Sequence, residues 1–231
     1  MRQMSSSTRD VSAALRPILL GGGGHGSVLV DALLACGIVV HGVVDRRPAS
    51  EVRTKIVPLL GDDDWLGGQS ASTVVLINGI GANPSTRARQ EAFCRWRGAG
   101  YAFLSVIHPA AVVSPGCTLG RGVQALARCV MQTGALVGDN AVVNTGAIVE
   151  HDADIADHAF VGPGAIVCGD AKVGRGAFIG AGAVVLPGIR IGDGAVVGAG
   201  ATVVDDVPEG AVVMGTPARQ WAGPRRSEGS Q

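Results

Sequence analysis

Between Glu150 and His158 the chain crowds two histidines and four acids, in the order Glu150-His151-Asp152, Asp154, Asp157, His158. An imidazole with an ordinary pKa of about 6.5 can take up a proton at neutral pH. A carboxylate beside it fixes its tautomer and stabilises the imidazolium, which is the equipment of a general base acting on an amine or a hydroxyl. His151 is the candidate base and Asp152, at a turn position that can reach it, the favoured partner over Glu150. Asn144-Thr145 stands six residues upstream and joins the same polar stretch. The bland alternative is a solvated edge. A zinc site needs three or four convergent ligands. His151 and His158 offer two and His108 lies far off in the repeat described below, so no metal is expected. Cys168 could be a nucleophile, but a structural thiol is the commoner case.

A second stretch able to do chemistry is Gly21-Gly-Gly-Gly-His25-Gly26. It matches G-x-G-x-x-G through Gly21, Gly23 and Gly26, and Asp45 follows nineteen residues after the last glycine. Such glycines let a phosphate approach the backbone, and a helix N-terminus behind them supplies N–H donors and a positive dipole. The segment up to residue 104 has room for about one mononucleotide-binding half, so a nucleotide mono- or diphosphate is expected here rather than NAD.

What must position these groups is readable from periodicity. From Ile107 to Val203, every sixth residue is aliphatic or small and apolar, without a slip. Neither a helical period of 3.6 nor a strand period of 2 gives a sustained six, so this is a repeat array. Four residues after each such position comes a small residue, usually alanine, with Cys117, Val123, Cys129, Ile189 and Val207 as exceptions. Between them lie glycines, or Asn140, Asp152, Asp170 and Asp206, residues that tolerate positive φ. His158 also stands in this slot and reads as a corner residue. Each hexapeptide is then one short strand and one corner of a triangular coil, three to a turn. Flat faces and open ends of such a solenoid call for a closed symmetric oligomer.

Upstream, strands are expected over residues 17–20, 38–44, 56–60, 73–77 and 101–104, with a helix over 27–36 and an acidic loop over 62–65. A second helix is expected to open at Asn83-Pro84, with Ala88, Ala92, Phe93 and Trp96 on its apolar face. Alternating strands and helices predict a small parallel sheet wrapped by helices. The domain reading is a tail over 1–16, an α/β domain over 17–104, a β-helical domain over 105–221 and a tail over 222–231.

Composition narrows the partners. Nineteen basic residues balance nineteen acidic ones, and aromatics are 3%, which gives no electrostatic or stacking surface for nucleic acid. No apolar run approaches a membrane span and no signal-peptide core precedes Pro17, so a cytoplasmic protein is expected. Five cysteines without a CxxC pair fit reduced thiols.

Leu19-Leu20-Gly-Gly-Gly-Gly-His25-Gly26, Asn144-Thr145, Glu150-His151-Asp152 and Gly215-Thr-Pro-Ala-Arg219, set on the hexapeptide array, resemble the bacterial left-handed β-helix acetyltransferases of the NeuD/PglD sugar type. The resemblance implies a small Rossmann-like α/β domain followed by a left-handed parallel β-helix. It also implies a homotrimer, acetyl-CoA as co-substrate between neighbouring β-helices, and a UDP- or GDP-linked amino sugar as acceptor. By position, His151 is similar to the family's general base and Asp152 to the acid beside it. Gly23, Gly24, His25, Asp45, Arg46 and Gly81 fall where the family contacts the nucleotide sugar, with Asn144 as a further substrate contact. Phe160, Gly169, Ala181, Ala199 and Arg219 fall where it contacts acetyl-CoA. Phe160 is a departure, because the family often has a second histidine nine residues after the base. The resemblance implies transfer to an amine. The alternatives are O-acetylation of a sialic-acid-like sugar, a non-catalytic nucleotide-sugar-binding scaffold, and a zinc-dependent β-helix hydratase of the carbonic anhydrase type.

Overall fold

The computed structural model describes residues 15–221. The expected tails lie outside the described residues except for Leu15 and Arg16, and Arg16 opens the first strand. The α/β part runs β1 (Arg16–Leu20), α1 (Gly24–Ala35), β2 (Gly42–Val44), β3 (Leu59–Gly61), α2 (Asp63–Gly67), β4 (Val74–Asn78), α3 (Arg87–Gly98) and β5 (Ala102–Phe103). Its strands are all parallel in the order β3-β2-β1-β4-β5. Ile18, Leu19, Val74, Leu76 and Ile77 have no exposed surface, as strands covered on both sides require. The order reverses between β1 and β4, and the crevice beyond the strand ends at such a point is where α/β sheets bind ligands.

Several local expectations are corrected. The strand read over 38–44 is confined to Gly42–Val44, and the one read over 56–60 starts at Leu59, with Ile56 70% exposed. The acidic loop is a helical turn, because the Asp62 carboxylate accepts from the N–H groups of Asp64 and Trp65 and caps α2. α1 begins at Gly24, inside the glycine run, so His25 is on the helix. Asn83 and Pro84 do not open α3; the helix starts at Arg87 after Thr86, whose hydroxyl donates to the carbonyl of Gly176 in the repeat array. That clamp sets where α3 leaves the loop. The buried face of α3 is Arg89, Phe93 and Trp96, while Ala88 is exposed.

From Val106 the chain winds a left-handed β-helix with three parallel faces. One face stacks six strands from Val112–Val113 to Thr202–Val203, a second five from Thr118–Leu119 to Arg190–Ile191, and a third begins with Val106–Ile107 and Gln124–Ala125. Register holds at eighteen residues, as in Met131↔Val149↔Val167↔Val185↔Val203. The six-step residues and the alanines fill the tube: Val149, Ala153, Ile155, Ala159 and Val161 have no exposed surface. Corners take positive φ at Asn140, Asp152, His158 and Asp170, and also at Arg128, which the sequence reading passed over. Asp206 is not such a corner; its carboxylate accepts from the N–H of Arg190. Beyond Val203 the array resumes two residues early, with Ile191 opposite Val207 and Val197 opposite Val213. Val207 thus takes a strand register position rather than a small-residue slot. The chain ends in an antiparallel hairpin of Val212–Met214 with Arg219–Gln220.

The outward residues distinguish the faces. The six-stranded face presents Val112, Val130, Ile148, Ile166, Val184 and Thr202, an almost wholly apolar ladder. The five-stranded face presents Thr118, Leu136, Asp154, Lys172 and Arg190. The third face carries the α/β domain, which buries Gln124, Val142 and Phe160.

Candidate functional site

The glycine turn after β1 and the loop after β4 open a cleft of about 710 Å³ lined by Gly23, Gly24, His25, Asp45, Arg46 and Gly81, with Arg47, Asp63, Arg95 and Trp96 on its walls. All the α/β-domain residues expected to touch a nucleotide sugar therefore meet in one place. The glycines there have two jobs. A Cβ on Gly26 would overlap the carbonyl of Gly21, so this glycine lets α1 pack on the turn, whereas Cβ positions on Gly23 and Gly24 meet only arginine side chains at 3.6 Å. Gly23 and Gly24 thus leave backbone open at the start of α1, whose first N–H groups have no partner within the helix.

Asp45 is committed within the protein. It accepts from the N–H of Gly22 at 2.7 Å and from the backbone and guanidinium of Arg47. Burial opposes its charge, but these bonds prevail and hold the carboxyl down at about 2. Arg47, which the motif did not single out, is thereby fixed on the cleft wall. Arg46 and Arg95 both bind the carboxylate of Asp63, leaving one positive charge in excess at that group.

His151 and Asp152 sit at the corner between the six-stranded and five-stranded faces, the corner opposite the face that carries the α/β domain. Nδ1 of His151 lies 3.0 Å from Oδ2 of Asp152, and this bond raises the imidazole pKa above its ordinary value, assisted by the charges of Asp152, Asp170 and Glu150. Nε2 is left for a substrate. One coil on, Gly169 lies beneath the ring, and its N–H meets no acceptor among the described residues. One coil back, a Cβ on Gly134 would overlap the Asp152 carboxylate. Burial and the nearby Glu150 push the Cys168 thiol up, away from the thiolate a nucleophile needs.

The other candidates are dispersed over the chain. Asn144, Ala181 and Ala199 share the corner on the far side of the six-stranded face; Asn144 caps Thr145 N–H at 2.7 Å, and both alanines are exposed. Phe160 is 5% exposed on the α/β-bearing face, stacked on Phe178 with its centroid 6.0 Å from that of His25, and so stands away from the His151 corner. Arg219 is in the terminal hairpin, its guanidinium on the Ala218 carbonyl and 4.0 Å from Asp205. His158 is a buried corner residue held by the Asn140 side-chain amide at 3.0 Å and edge-on to Phe93. Among the described residues no group of three or more His, Cys, Asp or Glu side chains could hold a metal ion, and no helix is long and apolar enough to cross a membrane.

Residues 17–93 match the family model for the PglD N-terminal domain, residues 127–150 the hexapeptide repeat of succinyl-transferase, and residues 170–205 the six-repeat bacterial transferase hexapeptide. PerB from Caulobacter crescentus, solved with CoA and GDP-perosamine, is similar over 90% of this chain and 98% of its own, at 37% identity and a TM-score of 0.83. The acetyltransferase domain of PglB from Neisseria gonorrhoeae, solved with acetyl coenzyme A, is similar over 89% and 98%, at 30% identity and a TM-score of 0.83. WeeI from Acinetobacter baumannii, at 23% identity, 90% and 100% coverage and a TM-score of 0.80, shares the fold. No curated protein sequence matches the chain.

Proposed function

Because the chain belongs to the hexapeptide-repeat sugar acetyltransferases with a PglD-type N-terminal domain, we propose that it transfers an acetyl group from acetyl-CoA to the amine of a nucleotide-linked amino sugar. The observation that carries this reading is the His151–Asp152 pair, with Nδ1 bonded, Nε2 free, and the unpartnered N–H of Gly169 below it. Nε2 takes the proton from the amine as the nitrogen attacks the thioester carbonyl. The Gly169 N–H holds the oxygen as charge develops on it. When the C–S bond breaks, the proton passes to the departing sulfur and no acyl-enzyme forms. PerB variants with one histidine replaced by asparagine or alanine are known with CoA and GDP-perosamine bound, as expected where a histidine serves chemistry rather than binding.

In this reading the cleft takes the nucleotide diphosphate at Gly23 and Gly24, with Asp45, Arg46 and Gly81 around it. The cleft and His151 lie on opposite sides of one β-helix, so the reading includes a homotrimer. Packing the apolar ladder from Val112 to Val184 against a neighbour brings the His151–Gly169 corner of one subunit beside another subunit's Asn144–Ala181–Ala199 corner. The groove between them suits an extended coenzyme, with Arg219 at its far end. A cytoplasmic site of action fits both ligands. The test is to incubate the protein with acetyl-CoA and a panel of UDP- and GDP-linked amino sugars and to follow free CoA, repeating with His151→Ala. Release of CoA that depends on an amino sugar and is lost in the variant supports the reading. No release with any acceptor, or an alanine variant as fast as the parent, overturns the activity or its base; release only with hydroxyl acceptors makes it an O-acetyltransferase.

A further inference from the structure

His25 reaches out of the α/β domain into the β-helix. Its Nε2 lies 2.7 Å from Oε1 of Gln124, a side chain with no exposed surface on the face beneath. The amide of Gln124 cannot be turned round, because its Nε2 donates to the carbonyl of Asn78 at 2.7 Å, and a flipped amide would set two oxygens against each other. Oε1 is therefore an acceptor, and the ring nitrogen facing it must carry the hydrogen. Asn78 is in turn anchored: its amide donates to the carbonyl of Arg89 at 2.8 Å and to Oδ1 of Asn140 at 2.9 Å. Arg89, fully buried with no carboxylate paired to it among the described residues, donates to the carbonyls of Ile80 and Asn140. Burial foremost, then the Arg89 charge, hold the His25 pKa at about 4, against the bond to Gln124 that raises it, so the ring is neutral.

A neutral imidazole with hydrogen on Nε2 has its lone pair on Nδ1, for which no partner exists among the described residues, and His25 lines the cleft. A lone pair there repels phosphate oxygens and accepts from a donor. The charged groups Arg46, Asp63 and Arg95 mark one part of the cleft; His25 marks the part against the β-helix, where the sugar must be if its amine is to reach an acetylating corner. We propose that Gln124 is a positioning residue for the acceptor: by fixing the Nε2–H tautomer of His25, it presents Nδ1 as the acceptor for a hydroxyl of the sugar. This rests on the nucleotide-sugar reading of the cleft, whereas the tautomer itself does not.

The experiment therefore has two arms, on the full chain and on Gln124→Met, with Gln124→Glu as a second variant. In the first arm, ¹⁵N shifts of the His25 ring are recorded without ligand. The parent shows the neutral Nε2–H pattern, Gln124→Met shows exchange between tautomers, and Gln124→Glu shows a more protonated ring. A parent ring with hydrogen on Nδ1, or a spectrum unmoved by either variant, overturns the proposal. In the second arm, binding is measured for GDP-perosamine against GDP and for a UDP-linked 4-amino sugar against UDP. Gln124→Met loses roughly tenfold for the sugar-bearing member of the pair that binds and keeps the bare diphosphate, because the buried Nε2–H loses its acceptor and the tautomer that presents Nδ1 becomes a minor species. Equal loss for both members makes Gln124 merely structural and overturns the proposal. If the parent binds none of the four, the nucleotide-sugar reading fails and the hydroxyl assignment with it, while the tautomer result stands alone.

Discussion

The imidazole of His151 lies directly over the Cα of Gly169, so that a Cβ built on the glycine would stand 2.7 Å from both Cε1 and Nε2. Gly169 does not have a positive φ, so alanine there carries no backbone strain, and the atoms nearest its methyl group are those of the ring. Gly169→Ala is expected to keep its melting temperature within a few degrees and to lose roughly tenfold to a hundredfold in kcat, because about 1 Å of misplacement at the reacting atom is that costly. Acetyl transfer and thermal melting, measured on the same preparation, check it. A variant that melts with the parent and turns over at the parent's rate removes the ring from above the glycine.

Asp152 sets the pH at which the base works. His151 accepts a proton only when neutral, and its hydrogen bond to Asp152 raises its pKa above the ordinary 6.5. The rate is thus expected to rise with pH through a limb lying above 6.5 and to fall away on the acid side. Asp152→Asn removes the bond to a charged acceptor, moves that limb down toward 6.5, and lowers the high-pH rate by roughly tenfold or more through lost basicity and orientation. Profiles of kcat against pH for the two proteins give the answer; coincident limbs would leave the carboxylate without this role.

How far these groups could be read from sequence depends on whether their environment is local. The six-residue step reports one inward position per strand, and the alanine four residues on reports a corner too tight for more, so the tube, its register up to Val203 and most of its corners are legible in the sequence; the Arg128 corner and the register change after Val203 are not. The dyad was visible because it breaks that pattern. Gln124 and Arg89 were not. Gln124 occupies an outward strand position, which periodicity assigns to solvent, and Arg89 interrupts an apolar helical face; both are buried because the α/β domain docks on that side. Docking joins residues about fifty to a hundred apart, such as Arg89 to Asn140 and His25 to Gln124, and leaves no period in the sequence. The start of α3 departs from the sequence expectation for the same reason, since Thr86 is held by Gly176 across that interface.

His25 makes the docked domains sensitive to acid. Its folded pKa of about 4 lies below the 6.5 of an unfolded chain, so the unfolded state binds the extra proton first. The stability contributed by a neutral His25 is complete above about pH 6.5, declines as pH falls from there, and is lost near pH 4. Denaturant midpoints measured across this range are expected to fall more steeply for the parent than for His25→Gln, which cannot titrate. Parallel curves would show that other groups govern the acid limb.

The six-stranded face predicts its own partner. Val112 is 60% exposed and Val130, Ile148, Ile166 and Val184 line up above it at strand spacing, while the five-stranded face carries Asp154, Lys172 and Arg190 in the equivalent positions. A lysine at position 148 would place an unpaired charge in the middle of the apolar ladder, costing several kcal/mol in each contact if the face is buried and close to nothing if it is wet. Ile148→Lys is therefore expected to sediment as a monomer where the parent sediments as a trimer, with an unchanged far-ultraviolet spectrum and lost acetyl transfer. A parent that is itself monomeric removes the trimer.

Arg89 tests whether that docking depends on its buried cation. The guanidinium holds the carbonyls of Ile80 and Asn140 and has no counter-ion among the described residues, and burial depresses its pKa to about 9. Arg89→Met keeps most of the volume and relieves the desolvated charge, which is favourable, but strands both carbonyls without donors, which costs about 1 to 3 kcal/mol each. The second effect is the larger, because the carbonyls of Ile80 and Asn140 and the Oδ1 of Asn140 all lose donors, against one buried charge and one unpartnered Nε–H relieved. The variant is expected to melt several degrees lower and to bind the nucleotide diphosphate more weakly, since Ile80 and Gly81 form the cleft loop that Arg89 ties down. Calorimetry of unfolding and of GDP and UDP binding measures the two consequences separately. Weaker binding with unchanged melting would mean that the cation acts on the ligand rather than on the loop.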